Sequence, residues 1–192
     1  MLIIKSEIMD EAAVRRSLTR ITHEIMERNR GTADLCIIGI RRRGAVLADI
    51  LAANIEKFEN TKVPVAYIDI TMYRDDLRSA GSKLSELSAG QPGTASSIPF
   101  DITGKRVILV DDVIYTGRTA RAAIEAIFSH GRPSSIQLAV LIDRGHRELP
   151  IRPDFVGKNI PTSKEEVVSV RVDEFDGSTG VCICADRREG CN

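Results

Sequence analysis

Apolar residues along this chain follow two spacings, one helical and one continuous. Val14, Leu18, Ile21 and Ile25 recur every three or four positions after Asp10, which predicts a capped helix ending near Arg28. Similar spacing predicts helices over 45–58 and 119–129. Short apolar runs predict strands at 35–40, 65–71, 107–110, 136–142, 167–172 and 181–184. This alternation predicts an α/β fold whose mostly parallel, doubly wound sheet is flanked by helices.

The most informative segment begins with a buried run and continues into an acidic pair. Asp111 and Asp112 end the predicted strand, and a turn containing Gly117 leads into a helix. A helix N-terminus binds anions through its free N–H groups, and adjacent carboxylates suit the hydroxyls of a ribose. The alternative is an ordinary strand and turn with two capping aspartates. The predicted ribose-phosphate site comprises Val107, Ile108, Leu109, Val110, Asp111, Asp112, Val113, Ile114, Tyr115, Thr116, Gly117, Arg118 and Thr119.

This segment resembles the phosphoribosyl pyrophosphate (PRPP) signature of type I phosphoribosyltransferases. It is not a Walker loop, since no G-x-x-x-x-G-K-S/T pattern is present. The resemblance implies the type I fold, with a lid loop and a small base-binding hood, and Mg²⁺ bound with PRPP. A second anion site is predicted at Arg42, Arg43 and Gly44, where relatives usually carry Lys-Thr-Arg-Gly or a similar loop. The alternative is a solvated basic turn.

A long segment without periodicity, 75–100, is rich in glycine, proline and small hydroxyl residues. Such a stretch in a compact domain is usually a functional lid or a disordered insertion, and its position after a strand favours a lid. Tyr73 and Arg74 lie at its edge. The predicted catalytic set is Asp111, Asp112, Arg43, Tyr73 and Arg74.

Residues 152–161 resemble the base-binding stretch of hypoxanthine phosphoribosyltransferases. The resemblance implies that Phe155 stacks on the base, with Val156 and Ile160 beside it, although Phe155 and Val156 are also compatible with the end of a core strand. Purine-salvage relatives carry a lysine where this chain has Asp143. A carboxylate accepts a hydrogen bond from a base N–H, which favours a base other than a purine.

The overall resemblance is to the bifunctional pyrimidine-operon attenuation regulators with uracil phosphoribosyltransferase activity. It covers 18–24, 69–76, the ribose-phosphate segment, 131–140, 143–152 and 157–163. It implies conversion of uracil and PRPP to uridine monophosphate (UMP) and pyrophosphate. It also implies binding of UMP or UTP and of the messenger RNA leader of pyrimidine genes. The RNA-binding residues implied by the resemblance are Thr19, Arg20, His23, Arg28, Arg144, His146, Arg147 and Lys158.

Two other functions fit the same residues. The chain is alternatively a dedicated nucleobase phosphoribosyltransferase, in which the basic residues form a solvated face or a subunit interface. A less favoured possibility is an RNA-binding module without catalysis. Binding to the leader, measured with and without UMP, separates the bifunctional regulator from the dedicated transferase.

Composition narrows the class of protein. With 192 residues and 43% hydrophobic content, one domain spanning 1–192 is expected. Lys+Arg and Asp+Glu are both 27, which argues against non-specific nucleic-acid binding, and 4% aromatic residues argue against extended base-stacking sheets. No membrane or secretion segment is evident, so we expect a cytoplasmic protein. The spacings of the cysteines and histidines favour free thiols over a side-chain metal site, and we also expect a homo-oligomer.

Overall fold

A computed structural model describes residues 2–70 and 98–186 of the chain. The strands and helices alternate as predicted over most of this length. In chain order they are β1 (Leu2–Met9), α1 (Glu11–Asn29), β2 (Leu35–Ile40), α2 (Arg43–Glu59), β3 (Val65–Ile68), β4 (Arg106–Ile114), α3 (Arg118–Phe128), β5 (Ser135–Asp143), β6 (Phe155–Asn159), β7 (Val167–Arg171), α4 (Asp173–Asp176) and β8 (Gly180–Asp186).

The central sheet has five parallel strands in the order β3-β2-β4-β5-β6. Helices α1 and α2 pack on one face, where Ile25 and Leu51 are buried with Ile108 of β4. Helix α3 covers the other face through small side chains such as Ala123, which lies against Leu109. Both faces are therefore buried, as a parallel sheet requires, and the predicted doubly wound α/β fold is confirmed.

Helix α1 shows why the periodic pattern was informative. Asp10 caps it, with its Oδ1 accepting the N–H of Ala13 at 2.7 Å, and Arg30 ends it in the left-handed conformation. The apolar stripe from Val14 to Ile25 is buried against the sheet. The prediction of a helix from Asp10 to about Arg28 is confirmed.

Strand β4 continues beyond the acidic pair, so the expected strand end at Asp111 was wrong. Parallel pairing with β5 persists from Arg106 opposite Ser135 to Ile114 opposite Asp143. The pairing places the acidic pair within the carboxyl end of a central strand. In open α/β sheets this edge is where ligands bind.

A second sheet of three antiparallel strands, β1-β8-β7, forms the small hood. Val170 and Val181 on its inner face join the core that α1 covers. The sequence pattern missed β1, because Lys5, Ser6 and Glu7 interrupt its apolar residues on an edge strand. No helix in the described part of the chain is long and apolar enough to span a membrane.

Candidate ribose-phosphate site and basic helix face

The two adjacent aspartates lie at the carboxyl end of β4. Asp111 Oδ1 accepts the N–H of Asp112 at 2.9 Å, and Asp112 Oδ1 accepts the N–H of Val113 at 2.8 Å. Burial, and then the charge of Asp112, raise the pKa of Asp111 well above its usual range. Burial also raises the pKa of Asp112, against the opposing effects of the Val113 N–H and the Arg43 charge. Two recessed carboxylates of this kind are ready to accept hydroxyl hydrogens or a cation.

A short loop follows the acidic pair and leads directly into α3. Gly117 adopts φ 93°, a left-handed conformation that glycine takes at little cost, and α3 begins at the next residue. The first turn of α3 contains no acidic residue, so its N-terminal N–H groups favour an anion. Thr116 O accepts the N–H groups of Glu148 and Leu149 at 3.0 and 3.1 Å, which holds the loop against the 148–149 turn.

A cavity of about 290 Å³ opens between this loop and β5. Eight of the thirteen predicted residues line it, whereas Val107 to Val110 are buried in the core and Asp112 lies outside the lining. Sequence reasoning missed three lining residues, which are apolar and carry no chemical signature. The lining consists of Asp111, Val113, Ile114, Tyr115, Thr116, Gly117, Arg118, Thr119, Ala120, Leu138 and Val140.

The arginine loop, which comprises Arg42, Arg43 and Gly44, lies against the acidic pair, and two glycines permit this approach. A Cβ on Gly44 would lie 2.6 Å from Val110 O and 3.2 Å from Asp111 Cα. A Cβ on Gly39 would lie 2.7 Å from Ala45 Cα. The structure thus brings the predicted Arg42–Gly44 segment to the end of β4, where the charge of Arg43 lowers the pKa of Asp112.

Arg43 is paired with a residue that sequence reasoning missed. Its Nη2 donates to Asp176 Oδ1 at 2.9 Å and to Oδ2 at 3.1 Å, and its Nε donates to Oδ2 at 3.3 Å. This pairing lowers the pKa of Asp176. Because the partners are 133 positions apart in the chain, no local pattern could have indicated the contact.

The predicted base-stacking role of Phe155 does not fit the structure. Phe155 is 3% exposed and belongs to the core beneath α1, where the Arg28 guanidinium lies 5.6 Å from its ring centroid. Val156 faces the opposite core and is partly buried, whereas Ile160 is buried on the α1 side. The core-strand alternative is therefore correct for Phe155, which has no face available for a base.

Asp143 lies at the end of β5, beside Ile114 of β4. Its Oδ1 accepts the N–H of Gly145 at 2.9 Å, and its Oδ2 accepts Arg147 Nη2 at 2.6 Å. The carboxylate is thus held in a fixed orientation at the edge of the sheet that carries the acidic pair.

Comparison with known proteins agrees with this geometry. The phosphoribosyl transferase domain family matches residues 5–174. A protein named "Bifunctional protein PyrR" from Pelotomaculum thermopropionicum is 58% identical over 180 residues, covering 93% of this chain and 95% of the relative. A protein of the same name from Brevibacillus brevis is 61% identical over 175 residues, covering 91% and 94%. The chain belongs to the phosphoribosyl transferase family and, within it, to the PyrR proteins.

Solved structures support the fold independently. A hypoxanthine-guanine phosphoribosyltransferase from Bacillus anthracis matches with a TM-score of 0.66 and 20% identity, covering 97% of this chain and 100% of that one. The Trypanosoma cruzi hypoxanthine phosphoribosyltransferase in complex with the product IMP matches with a TM-score of 0.69 and 18% identity, covering 95% and 91%. At this identity the likeness establishes the type I phosphoribosyltransferase fold alone.

Two of the residues predicted to bind RNA make contacts within the fold. Arg144 is 8% exposed, and its guanidinium donates to Thr162 Oγ1, Ser163 O and Glu166 O at 2.7–3.2 Å. Arg147 donates to Asp143 and to the Tyr115, Gly145 and Ile151 carbonyl oxygens. Arg144 therefore makes its contacts within the fold, and Arg147 supports the loops around the cavity.

The residues on α1 form a different surface. Arg20 donates to Val156 O at 3.0 Å and Gly157 O at 2.7 Å, while Arg28 pairs with Asp154 at 2.8 Å. A groove of about 300 Å³ lies between α1 and β6 and brings Arg20 and Lys158 together with Arg16 of α1. The remaining lining residues of the groove are Met9, Ala13 and Ser17.

The other predicted residues are dispersed. Thr19 is partly buried on α1. His146 lies far from it in the chain, with Nε2 2.6 Å from Thr162 O. Tyr73 and Arg74, with most of the predicted lid, lie outside the described residues. Cys36, Cys182 and Cys184 are free and buried, and residues 2–70 and 98–186 contain no cluster of three metal-ligating side chains.

Proposed function

We propose that this PyrR-family protein transfers ribose 5-phosphate from PRPP to uracil and regulates pyrimidine genes by UMP-dependent binding of their leader RNA. The observation that carries the proposal is the position of the acidic pair, which lies between the Thr116–Thr119 loop and the Arg42–Gly44 segment. In the reaction, the bond from the anomeric carbon to the pyrophosphate oxygen breaks. A bond to uracil N1 forms, and the N1 proton is released to a base or to water.

Asp111 and Asp112 bind and orient the ribose. Their carboxylates accept hydrogen bonds from its hydroxyls and stabilise the positive charge that develops at the anomeric carbon. The Thr116–Thr119 loop and the α3 N-terminus hold the 5-phosphate. Arg43 and the adjacent loop hold the departing pyrophosphate, whose negative charge a guanidinium matches well.

The donor set also fits the magnesium that phosphoribosyltransferases generally use with PRPP. Oxygen ligands are preferred by Mg²⁺, and both carboxyls have pKa values raised by burial, so a cation nearby would stabilise their ionised forms. Mg²⁺ bound with PRPP would neutralise charge on the pyrophosphate. No residue is proposed to hold the ion without the substrate.

Uracil selection is proposed to rest on Asp143 and the backbone of β6. The Asp143 carboxylate, oriented by Arg147, is suited to accept a hydrogen bond from a ring N–H. Strand β6 runs beside the cavity, since its residue Val156 pairs with Val140, which lines the cavity. Because Phe155 is buried, we infer that the base lies against Leu138, Val140 and Tyr115 of the cavity rather than against Phe155.

RNA binding is proposed for the exposed surface of α1, with Arg16, Arg20, His23 and Lys158 as the central residues. Arginine and lysine provide the phosphate contacts, and His23 lies on the same helix. Arg20 also connects this helix to the base-binding strand through its bonds to Val156 O and Gly157 O. A nucleotide that shifts β6 would act on α1 through this contact, which is the differential effect that UMP dependence requires.

Two assays test the proposal. Uracil and PRPP with Mg²⁺ should yield UMP and pyrophosphate, and hypoxanthine should be the poorer substrate. Faster turnover of hypoxanthine would refute the base assignment. If uracil is converted but no leader RNA binds with UMP present, the dedicated-transferase alternative is correct. Self-association stays a prediction that sedimentation can check.

A further inference from the structure

Two aromatic rings from different helices stack on the outer surface of the molecule. The His23 imidazole on α1 and the Phe58 ring on α2 have centroids 4.5 Å apart and planes inclined by 18°. Phe58 is 38% exposed and His23 is also exposed. Asn54 Nδ2 donates to Thr22 Oγ1 at 3.4 Å between the same helices, so the stack has a fixed support.

Phe58 is not needed to join the two helices. Four residues earlier on the same helix, Asn54 already connects α2 to α1, and the apolar contacts between the helices are buried beneath it. Phe128 and Phe175 are more exposed, at 47% and 54%, so the feature that distinguishes Phe58 is its stacking on His23. A ring that is stacked on one side and exposed on another is suited to receive a further flat group.

We propose that Phe58 and His23 form a stacking platform for an unpaired base of the bound RNA. This inference rests on the proposed RNA-binding function and adds to it a residue, Phe58, outside the basic set. Single-stranded RNA is typically recognised by bases that leave the helix and stack on aromatic rings. Arg20, one turn before His23 on α1, is itself held by Glu24 and by the Val156 and Gly157 carbonyl oxygens, so the platform rests on the two rings.

The platform is separate from the reaction site. It lies on the α1–α2 side of the sheet, whereas the cavity residues Leu138 and Val140 belong to the core beneath α3. RNA stacking and ribose transfer can therefore be measured independently.

The chain contains no tryptophan, so Phe58→Trp introduces a single fluorophore at the platform. A leader RNA added with UMP should quench its emission, because a base then stacks on the indole. Phe128, which is 47% exposed on α3, provides the matched control: Phe128→Trp should show no quenching. Equal responses of the two tryptophans, or no response at position 58, would overturn the proposal.

Affinity gives the second measurement. Phe58→Leu removes the aromatic face but keeps an apolar side chain, and it should weaken leader binding about 5- to 150-fold, the usual effect of losing one stacked base. Phe58→Tyr keeps an aromatic face and should retain wild-type binding, and Phe128→Leu should leave binding unchanged. Thermal unfolding checks that each variant is folded.

Three outcomes contradict the platform. Unchanged affinity of Phe58→Leu, beside a wild-type protein that binds the leader, overturns the platform alone. A change in sedimentation without a change in RNA affinity would assign Phe58 to a subunit interface and also overturn it. Uracil transfer without any leader binding by the wild type would overturn the platform together with the RNA half of the proposed function.

Discussion

The guanidinium of Arg43 is held by the carboxylate of Asp176 through three hydrogen bonds of 2.9–3.3 Å. Arg43 belongs to the loop proposed to bind pyrophosphate, and Asp176 lies on the short helix α4 of the hood. A carboxylate and a pyrophosphate both match a guanidinium. Asp176 is therefore bound to the guanidinium that the departing pyrophosphate needs. PRPP must share the Arg43 guanidinium with Asp176 or displace the Asp176 carboxylate from it.

Neutralising Asp176 should make PRPP bind more tightly. Asp176 Oδ2 accepts the Val172 N–H at 2.9 Å, and the amide oxygen in Asp176→Asn can still accept this hydrogen bond. The substitution removes only the negative charge that competes for Arg43. Steady-state kinetics should show a several-fold lower KM for PRPP. Asp173→Asn, on the same helix and exposed, is the control and should leave the KM unchanged. A higher KM in Asp176→Asn would mean that the pair positions Arg43 rather than competing for it.

The acidic pair should be required for transfer, yet unfavourable for stability. Asp111→Asn combined with Asp112→Asn should lower kcat/KM by about 100-fold or more, because the charges that stabilise the transition state are gone. Circular dichroism should show an intact fold. Full activity in the double variant would contradict the site assignment.

The stability effect has a predictable dependence on pH. Burial raises the pKa of folded Asp111 above its unfolded value, so the native state binds this proton more tightly than the unfolded state. The contribution of Asp111 to the free energy of unfolding is most favourable below the ordinary carboxyl pKa. It declines as the pH rises towards the raised pKa of folded Asp111. Asp111→Asn should therefore raise the melting temperature at neutral pH, by an increment that shrinks in acid. An increment that grows in acid would contradict this account.

Gly44 should be irreplaceable for catalysis. In Gly44→Ala the new Cβ would lie 2.6 Å from Val110 O and must push the arginine loop away from the acidic pair. Uracil transfer should fall strongly, and the melting temperature should also fall. Gly104→Ala is the control: its φ of 76° strains an alanine, but no atom lies within 4 Å of the added Cβ. Similar losses of activity in both variants would indicate a general effect of strain.

RNA binding and catalysis should be separable at His23 but not at Arg147. His23→Ala should weaken leader binding by about 1–3 kcal/mol, the usual worth of one specific contact, while uracil transfer stays near wild type. Arg147→Ala should lower uracil transfer as well, because it releases Asp143 and the Tyr115 carbonyl oxygen. Titrations with labelled RNA and a uracil assay on the same preparations check both. Unimpaired transfer in Arg147→Ala would remove Asp143 from the base site.

Local patterns in the sequence were sufficient for most elements of the fold. The stripe from Val14 to Ile25 has a helical period. An apolar run, then the acidic pair, then a glycine turn is a distinctive order of residues. Phe155 shows the limit of such patterns. Alternate residues of a strand face opposite sides, so a local sequence cannot say which of Phe155 and Val156 faces a ligand.

Contacts between distant segments were not predictable. Arg144 and Arg147 look like surface charges in a basic stretch, but their partners include Glu166 O and Tyr115 O, and only the folded chain brings these groups together. The same holds for Asp176 with Arg43 and for Phe58 with His23. The chemistry of the cavity was therefore accessible from sequence, whereas the division of the arginines between structural and binding roles was not.

The affinity of the wild-type protein for its own pyrimidine-gene leader, measured with and without UMP, tests the bifunctional account most directly. A scrambled RNA of equal length, at the same moderate salt concentration, is the comparison. The account predicts that UMP strengthens binding to the leader and that the scrambled RNA binds more weakly under both conditions. Equal affinities for the two RNAs, or leader binding that does not respond to UMP, would contradict it.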